Sequence, residues 1–216
     1  MRGHGVKFVS IGVSRHRLGS DGTGVTTLVG GFGCPLDCKY CLNPQCKWGS
    51  APLNFEIEEL YERLRVDSLY FEATGGGVTF GGGEPLLQAE FICDFIKYCK
   101  ERGETWRFAL ETCLAVEESS VSVLDGLVDE YIVDIKDMND EIYRAYTGNS
   151  SERLKRNLLH LAELTAQVTI KLPLIPEYNT ASDVLASEAA LRELGFSDFI
   201  RFRYITDINK QRILSK

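Results

Sequence analysis

Alternation between β-type and helical segments is the feature that most constrains the fold of this chain. From residue 26 onward six short apolar runs follow one another: TTLVGGF, GVTFGG, WRFALET, EYIVDIK, QVTIKLPLI and DFIRFRYI. Between them, helical spacing of apolar residues predicts helices over 55–70, 85–102, 117–128, 140–164 with a break near Gly148, and 181–194. This βα alternation implies a parallel sheet with right-handed crossovers. We therefore predict an α/β protein, either a doubly wound sheet or an incomplete barrel.

Composition limits the kind of protein further. With 216 residues, 44% hydrophobic and 25% charged, the chain has the size of one large domain, which we place over 1–216. A net charge of -7 and a pI near 5.1 argue against nonspecific nucleic-acid binding, which needs a basic surface. No apolar run approaches the ~18 to 20 residues that span a bilayer, and no signal peptide is evident. We expect a cytoplasmic protein that binds neither nucleic acid nor membrane.

Unusual polar residues cluster where the predicted strands end. A cysteine-rich loop follows the first strand, and GGGEP, ET and DIK end the next three. KLP lies in the latter half of the fifth strand. Parallel α/β folds bind their ligands at the carboxyl edge of the sheet. The sequence therefore predicts one site at that edge, built from five separate segments.

Three cysteines in the loop, Cys34, Cys38 and Cys41, form a CxxxCxxC run. One interpretation is a structural zinc site with Cys46 as the fourth ligand, although such sites usually separate their ligands into two pairs. A second interpretation is a set of buried, unreactive thiols. The third, which we favour, is an iron-sulfur cluster held by thiolates. Three cysteines on a four-iron cluster would leave one iron open.

The CxxxCxxC run, with Tyr40 before its third cysteine, resembles the radical S-adenosylmethionine (SAM) superfamily. The resemblance implies one [4Fe-4S] cluster on Cys34, Cys38 and Cys41, with the amino and carboxylate groups of SAM on the open iron. In that superfamily one electron cleaves SAM to methionine and a 5'-deoxyadenosyl radical, which abstracts hydrogen from a substrate. Tyr40 and Leu42 would line the SAM site.

A longer string, GGGVTFGGGEPLLQ, resembles the GGVTFSGGEPLLQ signature of glycyl-radical-enzyme activases, with Gly81 in place of Ser. The resemblance implies that Gly82, Gly83 and Glu84 position the methionine amine of SAM. The segment YIVDIKDMND resembles the DLK segment of the same family, so Asp134 and Lys136 would contact the SAM ribose. From the residues alone, an ordinary structural ion pair remains the alternative for these two side chains.

Departures from the family pattern mark three further positions. The third strand ends in ETCL rather than ETNG or DTNG, so Glu111 and Thr112 would keep a polar role while Cys113 has none assigned. Lys171 stands where an Arg is typical and would contact the SAM carboxylate or the substrate, which makes it a catalytic candidate together with Glu111. Thr206 aligns with a His near the adenine.

Taken with these departures, the resemblance implies a partial (β/α)6 TIM-like barrel that is short at its C-terminus relative to the family. The implied function is removal of a hydrogen from a backbone glycine of a partner glycyl radical enzyme. A low-potential donor such as flavodoxin or ferredoxin would supply the electron. Two alternatives stay open: a radical SAM enzyme acting on a small molecule or another protein, and a noncatalytic metal-binding module or inactive relative.

Overall fold

Eight strands form one sheet within the part of the chain that the computed structural model describes, residues 6–19, 21–48 and 52–204. Their order is β3-β1-β2-β4-β5-β6-β7-β8. The strands are Phe8–Leu18 (β1), Val25–Gly31 (β2), Leu53–Phe55 (β3), Gly77–Gly82 (β4), Arg107–Thr112 (β5), Glu130–Asp134 (β6), Gln167–Leu174 (β7) and Asp198–Arg203 (β8). Strands β2 and β4 to β8 pair in parallel and are the six predicted strands, so that prediction is confirmed.

Two antiparallel strands, β1 and β3, extend the sheet beyond the predicted six. Strand β1 pairs with both β2 and β3, and β3 includes Phe55, where the sequence predicted a helix. These strands were missed because β1 mixes apolar and charged residues and β3 is only three residues long. Edge strands β3 and β8 do not pair with each other, so the sheet stays open, as an incomplete barrel requires.

Helices connect the parallel strands. Their bounds are Gln45–Trp48 (α1), Ile57–Leu64 (α2), Ser68–Thr74 (α3), Ala89–Glu101 (α4), Glu118–Ser122 (α5), Asp140–Thr147 (α6), Glu152–Ala162 (α7) and Ala181–Glu193 (α8). The predicted helix over 55–70 continues through a 3-10 turn into α3, and the one over 117–128 shrinks to five residues. The break near Gly148 is confirmed, because this residue ends α6 in the left-handed region at φ +78°.

Alternate residues of the strands face the helices and build the core. In β6 Tyr131 and Val133 pack into the main apolar cluster, as does Ile135 just beyond the strand. This leaves Asp134 on the opposite, concave face. Three phenylalanines continue the apolar layer. The ring centroid of Phe95 lies 5.9 Å from that of Phe80 and 6.4 Å from that of Phe108. Among the described residues, no helix has the length and apolar character that a bilayer span needs.

Candidate functional site

A cavity of about 140 Å³ lies at the carboxyl edge of the sheet. The loop after β2 contributes more of its lining than any other segment, and the ends of β4, β5 and β6 complete it with Tyr204. The lining residues are Cys34, Leu36, Cys38, Cys41, Leu42, Asn43, Gly82, Gly83, Glu111, Thr112, Cys113, Asp134, Lys136 and Tyr204. Nine of the twelve residues predicted for the site therefore meet in one place, and three do not line it: Tyr40, Glu84 and Lys171.

The cysteine loop is held in place by the last residues of α6 and the turn that follows this helix. The amide of Asp37 donates to the carbonyl of Thr147 at 2.8 Å, and that of Lys39 donates to Tyr146 at 3.2 Å. On the other side Asn149 donates its side-chain Nδ2 to the Pro35 carbonyl at 2.6 Å. These three hydrogen bonds fix the path of the loop, so that its three CxxxCxxC thiols surround the same cavity.

Cys34 and Cys38 differ in electrostatic environment. The neighbouring Cys113 thiol lowers the pKa of Cys34, against the upward effect of its burial. Burial raises the pKa of Cys38 to about 12. Since metals bind the thiolate form, loading a metal here must displace a proton from Cys38. No three His, Cys, Asp or Glu side chains among the described residues lie close enough to hold a single metal ion.

Glycines at the end of β4 let two loops lie against each other. A Cβ on Gly83 would sit 2.2 Å from the carbonyl oxygen of Gly33, and Gly82 adopts φ +87°. Backbone hydrogen bonds join the loops, from Gly83 to Gly31 at 3.0 Å and from Glu84 to Gly33 at 2.8 Å. The neighbours that require glycine at these positions are thus backbone atoms of the chain itself.

Glu84 has no exposed surface, and its carboxylate accepts hydrogen bonds from the chain on both oxygens. Oε1 accepts from the Leu86 amide at 3.0 Å and the Thr112 hydroxyl at 2.7 Å. Oε2 accepts from the Cys113 amide at 2.8 Å and its thiol at 2.9 Å. Burial raises the pKa of Glu84, because these donors are all neutral. The side chain ties β4 to β5 and does not face the cavity.

Cys113, to which the sequence assigned no role, lines the cavity together with Cys34, and its thiol donates to Glu84 Oε2 at 2.9 Å. No signal for this position was available, because the family pattern has Asn there and a lone thiol in a loop carries no signal of its own. Cys46, Cys93 and Cys99 are buried and do not line the cavity.

Asp134 and Lys136 enter the cavity from β6 and form an ion pair. Burial alone would lower the pKa of Lys136, but the Asp134 carboxylate and neighbouring Tyr204 raise it well above its usual value. The Lys136 ammonium lies 5.4 Å from the Tyr204 ring centroid. Asp134 Oδ1 is buried and has no hydrogen-bond partner. A buried acceptor without a donor is costly, so this oxygen suits a ligand that brings hydroxyl groups.

The other predicted residues lie at or beside the cavity wall. Glu111 lines the cavity and accepts a hydrogen bond from Lys171 Nζ at 2.7 Å, so Lys171 reaches the site through Glu111. Tyr40 points away, and its hydroxyl donates to Glu177 at 3.0 Å. Thr206 lies outside the described residues.

Besides Cys113, sequence reasoning missed three lining residues: Leu36, Asn43 and Tyr204. Asn43 donates from Nδ2 to the Gly82 carbonyl at 2.9 Å and thereby joins the cysteine loop to the glycine loop. Tyr204 directly follows β8. Its position at the carboxyl end of the last parallel strand was the available signal, since that is where ligands bind in such sheets.

Residues 28–187 match the radical SAM superfamily, and the chain belongs to it. Members of this superfamily use a [4Fe-4S] cluster and SAM. Among curated proteins, the chain is 35% identical to the (2S)-3-sulfopropanediol dehydratase activating enzyme of Klebsiella oxytoca, over 74% of this chain and 52% of that protein. It is also 35% identical to the pyruvate formate-lyase-activating enzyme of Clostridium pasteurianum, over 72% of this chain and 64% of that protein.

The chain thus spans between about half and two thirds of the length of these relatives. Solved structures show the same fold. Streptococcus suis SuiB bound to S-adenosylmethionine superposes with a TM-score of 0.63 at 14% identity, over 82% of this chain and 39% of that one. QueE from Escherichia coli covers 92% of this chain and 95% of its own, with a TM-score of 0.51 at 12% identity. The partial barrel predicted from the sequence is confirmed.

The residues around the cavity fit the cofactors of the superfamily. Thiolates are the usual ligands of iron-sulfur clusters, and each binds a different iron, so they must surround a space rather than meet at one point. Three thiols from one loop do so here. The partnerless Asp134 oxygen in the same cavity offers an acceptor for hydroxyl groups, such as those of a ribose.

Proposed function

We propose that this chain is a radical SAM enzyme that activates a glycyl radical enzyme by removing a hydrogen atom from a glycine of that partner. The observation that carries the proposal is the convergence of Cys34, Cys38 and Cys41 with Asp134 on one cavity at the carboxyl edge of the sheet. Curated relatives at 31% to 35% identity are activating enzymes, including that of pyruvate formate-lyase 1 in Escherichia coli, which supports this substrate class.

Each segment of the site has a separate task in this proposal. Cys34, Cys38 and Cys41 hold a [4Fe-4S] cluster. When bound, the cluster and SAM supply the one-electron chemistry that removes hydrogen from a substrate. The backbone of the loop containing Gly82 and Gly83 orients the methionine end of SAM, and the buried Glu84 carboxylate keeps that loop in place.

The far wall of the cavity binds the nucleoside end of SAM. Asp134 accepts from the ribose hydroxyls through its partnerless oxygen, while Lys136 holds the Asp134 carboxylate in position. Leu42 shields the site, and Tyr40 fixes the cysteine loop through Glu177. The Glu111–Lys171 pair supplies charged groups to the SAM carboxylate or the substrate.

Access for a protein substrate is provided by the open sheet. Strands β3 and β8 are separate edges, so a polypeptide loop carrying the target glycine can enter from the side. Residues 1–216 act as one catalytic domain in the cytoplasm. A low-potential flavodoxin or ferredoxin serves there as the electron donor.

The test begins with protein reconstituted with iron and sulfide without oxygen, reduced, and given SAM. We expect 5'-deoxyadenosine, together with a glycyl radical signal by electron paramagnetic resonance (EPR) when a glycyl radical enzyme from the same organism is added. Replacing Cys34, Cys38 and Cys41 by Ala abolishes both products. Cys99→Ala, which removes a buried thiol away from the cavity, leaves both intact.

Two results would contradict parts of this proposal. Formation of 5'-deoxyadenosine without a glycyl radical on any partner would retain the radical SAM chemistry and overturn the substrate. Purified protein that contains zinc and no sulfide, and that forms no product after reconstitution, would overturn the enzyme assignment itself.

A further inference from the structure

Strand β8 forms one edge of the sheet, and β7 is the only described strand that pairs with it. The amide of Tyr204, just beyond β8, donates to the Leu174 carbonyl at 2.9 Å, so the backbone of this residue faces β7. Backbone groups of successive strand residues point to opposite sides, so those of Phe202 also face β7, while those of Arg201 and Arg203 face outward. Outward amides and carbonyls of this kind are a template on which another strand can pair.

An apolar groove of about 360 Å³ lies beside this edge, on the side of the sheet that carries α8. Leu172 and Leu174 of β7 line it, together with Ala181, Val184 and Leu185 of α8. Leu185 is an exposed side chain. A polypeptide that pairs with an edge strand places alternate side chains on one face of the sheet, and such a groove can bury them.

The groove also has a basic side, although the net charge of the chain is -7. Arg201 and Arg203 both line it. Arg201 Nε lies 3.1 Å from Glu188 Oε2, and the other oxygen of that carboxylate accepts from Arg192 at 2.8 Å. Arg203 forms no ion pair with another described residue. Since two arginines share Glu188 and Arg203 is left unbalanced, the groove is complementary to acidic side chains.

The position of the groove indicates which partner would use it. Arg203 immediately precedes Tyr204, which lines the cavity proposed to hold SAM. A segment paired with β8 would therefore lie next to that cavity, on the open side of the sheet through which the proposed substrate enters.

We propose that β8 and its groove bind an extended, acidic segment of the protein substrate, which adds a strand to the sheet and places a carboxylate against Arg203. This inference rests on the proposed function. The segment is a docking element that need not contain the target glycine. Main-chain hydrogen bonds supply affinity in this mode of binding, while the groove and the arginine select the sequence.

The binding test uses the reconstituted full chain and two fluorescein-labelled decapeptides, one alternating valine with glutamate and one alternating valine with lysine. We expect fluorescence anisotropy to show binding of the Val/Glu peptide and about tenfold weaker binding of the Val/Lys peptide, because lysine is repelled by Arg203. A Val/Glu peptide with N-methylated amides keeps its charges but cannot pair with a strand, and it should bind more weakly than its unmethylated form.

Variants of the chain separate charge from strand pairing. Arg203→Ala removes one exposed charge and should weaken binding of the Val/Glu peptide about threefold. Arg203→Pro also removes the outward amide, a change that an edge strand tolerates, and should weaken binding about fivefold more. Arg156→Ala, which removes an exposed arginine of α7, should bind as the unmodified chain does. Urea unfolding shows whether the Pro variant is folded, and the methylated peptide tests strand pairing without it.

The activation test uses a glycyl radical enzyme from the same organism. We expect Arg203→Pro, or Arg203→Ala if the Pro variant is unfolded, to raise the KM for that enzyme and to leave 5'-deoxyadenosine formation in its absence unchanged. An unchanged KM in a variant that binds the Val/Glu peptide weakly would show that the groove does not serve the protein substrate.

Other outcomes would overturn the docking site in different ways. Equal binding of the Val/Glu and Val/Lys peptides, or of neither, contradicts an acidic occupant. Equal binding of the methylated and unmethylated peptides contradicts strand pairing. Self-association of the unmodified chain in sedimentation, lost in Arg203→Pro and without peptide binding, would assign the edge to a second copy. Absence of 5'-deoxyadenosine from the unmodified chain refutes the proposed function instead, and peptide binding is measured independently of it.

Discussion

Two carboxylates without exposed surface, Asp67 and Glu84, are stabilised in opposite ways at the two ends of the sheet. Asp67 lies near the start of β2 and meets a cation: Arg15 Nε donates to its two oxygens at 2.9 Å and 3.0 Å. The Thr27 hydroxyl at 2.8 Å and His16 Nε2 at 3.0 Å complete its shell. Glu84, at the carboxyl end of β4, has only neutral donors.

The difference in donors changes the charge that each site tolerates. Burial pushes the pKa of Asp67 upward, but the hydrogen bonds from Arg15 and Thr27 outweigh it and hold the pKa below its usual value. The pKa of Glu84 is raised, because burial dominates. The charge of Asp67 is balanced by Arg15, so this carboxylate can contribute to stability alone. Glu84 has no cation to offset its burial, and it is tolerated because the loops of the site require its hydrogen bonds.

The largest effect is expected for Glu84→Ala. This change leaves the buried Leu86 and Cys113 amides without acceptors and creates a cavity between β4 and β5, at a cost of about 3 kcal/mol in the free energy of unfolding. The glycine loop loses its anchor at the same time, so iron incorporation should fall. Urea unfolding and iron analysis measure the two effects.

Glu84→Gln is the matched control for that change. It keeps the volume but directs an NH2 group at one pair of existing donors, so the expected loss is smaller, about 1 to 2 kcal/mol. Equal losses for the Ala and Gln variants would contradict the view that the acceptors of Glu84 hold the loop.

A smaller effect, confined to stability, is expected for Asp67→Ala. The buried Thr27 hydroxyl loses its acceptor, but the half-exposed Arg15 can return to water, so we expect a loss of about 2 kcal/mol in the free energy of unfolding. Iron content of the folded variant should equal that of the unmodified chain. A marked loss of iron from well-folded Asp67→Ala protein would remove the distinction between the two ends.

Sequence periodicity was sufficient to predict the six parallel strands, and the motifs identified nine of the residues that line the cavity. GVTFGG coincides with β4 residue for residue, because its boundaries are set by glycines on both sides. The hydrogen-bonding of Glu84 could not be predicted, since its donors at 112 and 113 are brought close only by the pairing of β4 with β5. Strand β1 was missed for a similar reason: its charged residues have buried partners, such as Asp67, that lie far away in sequence.

The pH dependence of stability should have opposite sign at the two carboxylates. Asp67 has a lowered folded-state pKa, so its contribution is present above about pH 4 and is lost as pH falls through the folded value. Glu84 has a raised folded-state pKa, so its contribution is present below about pH 4 and is lost as pH rises through the folded value. The measurement is urea unfolding of the unmodified chain, Asp67→Asn and Glu84→Gln from about pH 3 to about pH 8.

For each variant we compare the free energy of unfolding with that of the unmodified chain. The difference between the unmodified chain and Asp67→Asn becomes smaller toward acid pH. The difference between the unmodified chain and Glu84→Gln becomes smaller toward neutral pH. Parallel curves for the two variants would show that Arg15 does not distinguish the sites.

The smallest effect concerns the backbone beside Asp67. His16 adopts φ +56°, nearly the same left-handed value as Leu114 beside Glu84. Asn tolerates this region and Val does not, so His16→Asn should change the free energy of unfolding by less than about 1 kcal/mol, while His16→Val should lower it by about 1 to 2 kcal/mol. A loss as large for Asn as for Val would show that the imidazole contact with Asp67, rather than the backbone conformation, limits this position. Both ends would then depend on side-chain donors, and the contrast between them would reduce to the charge of Arg15.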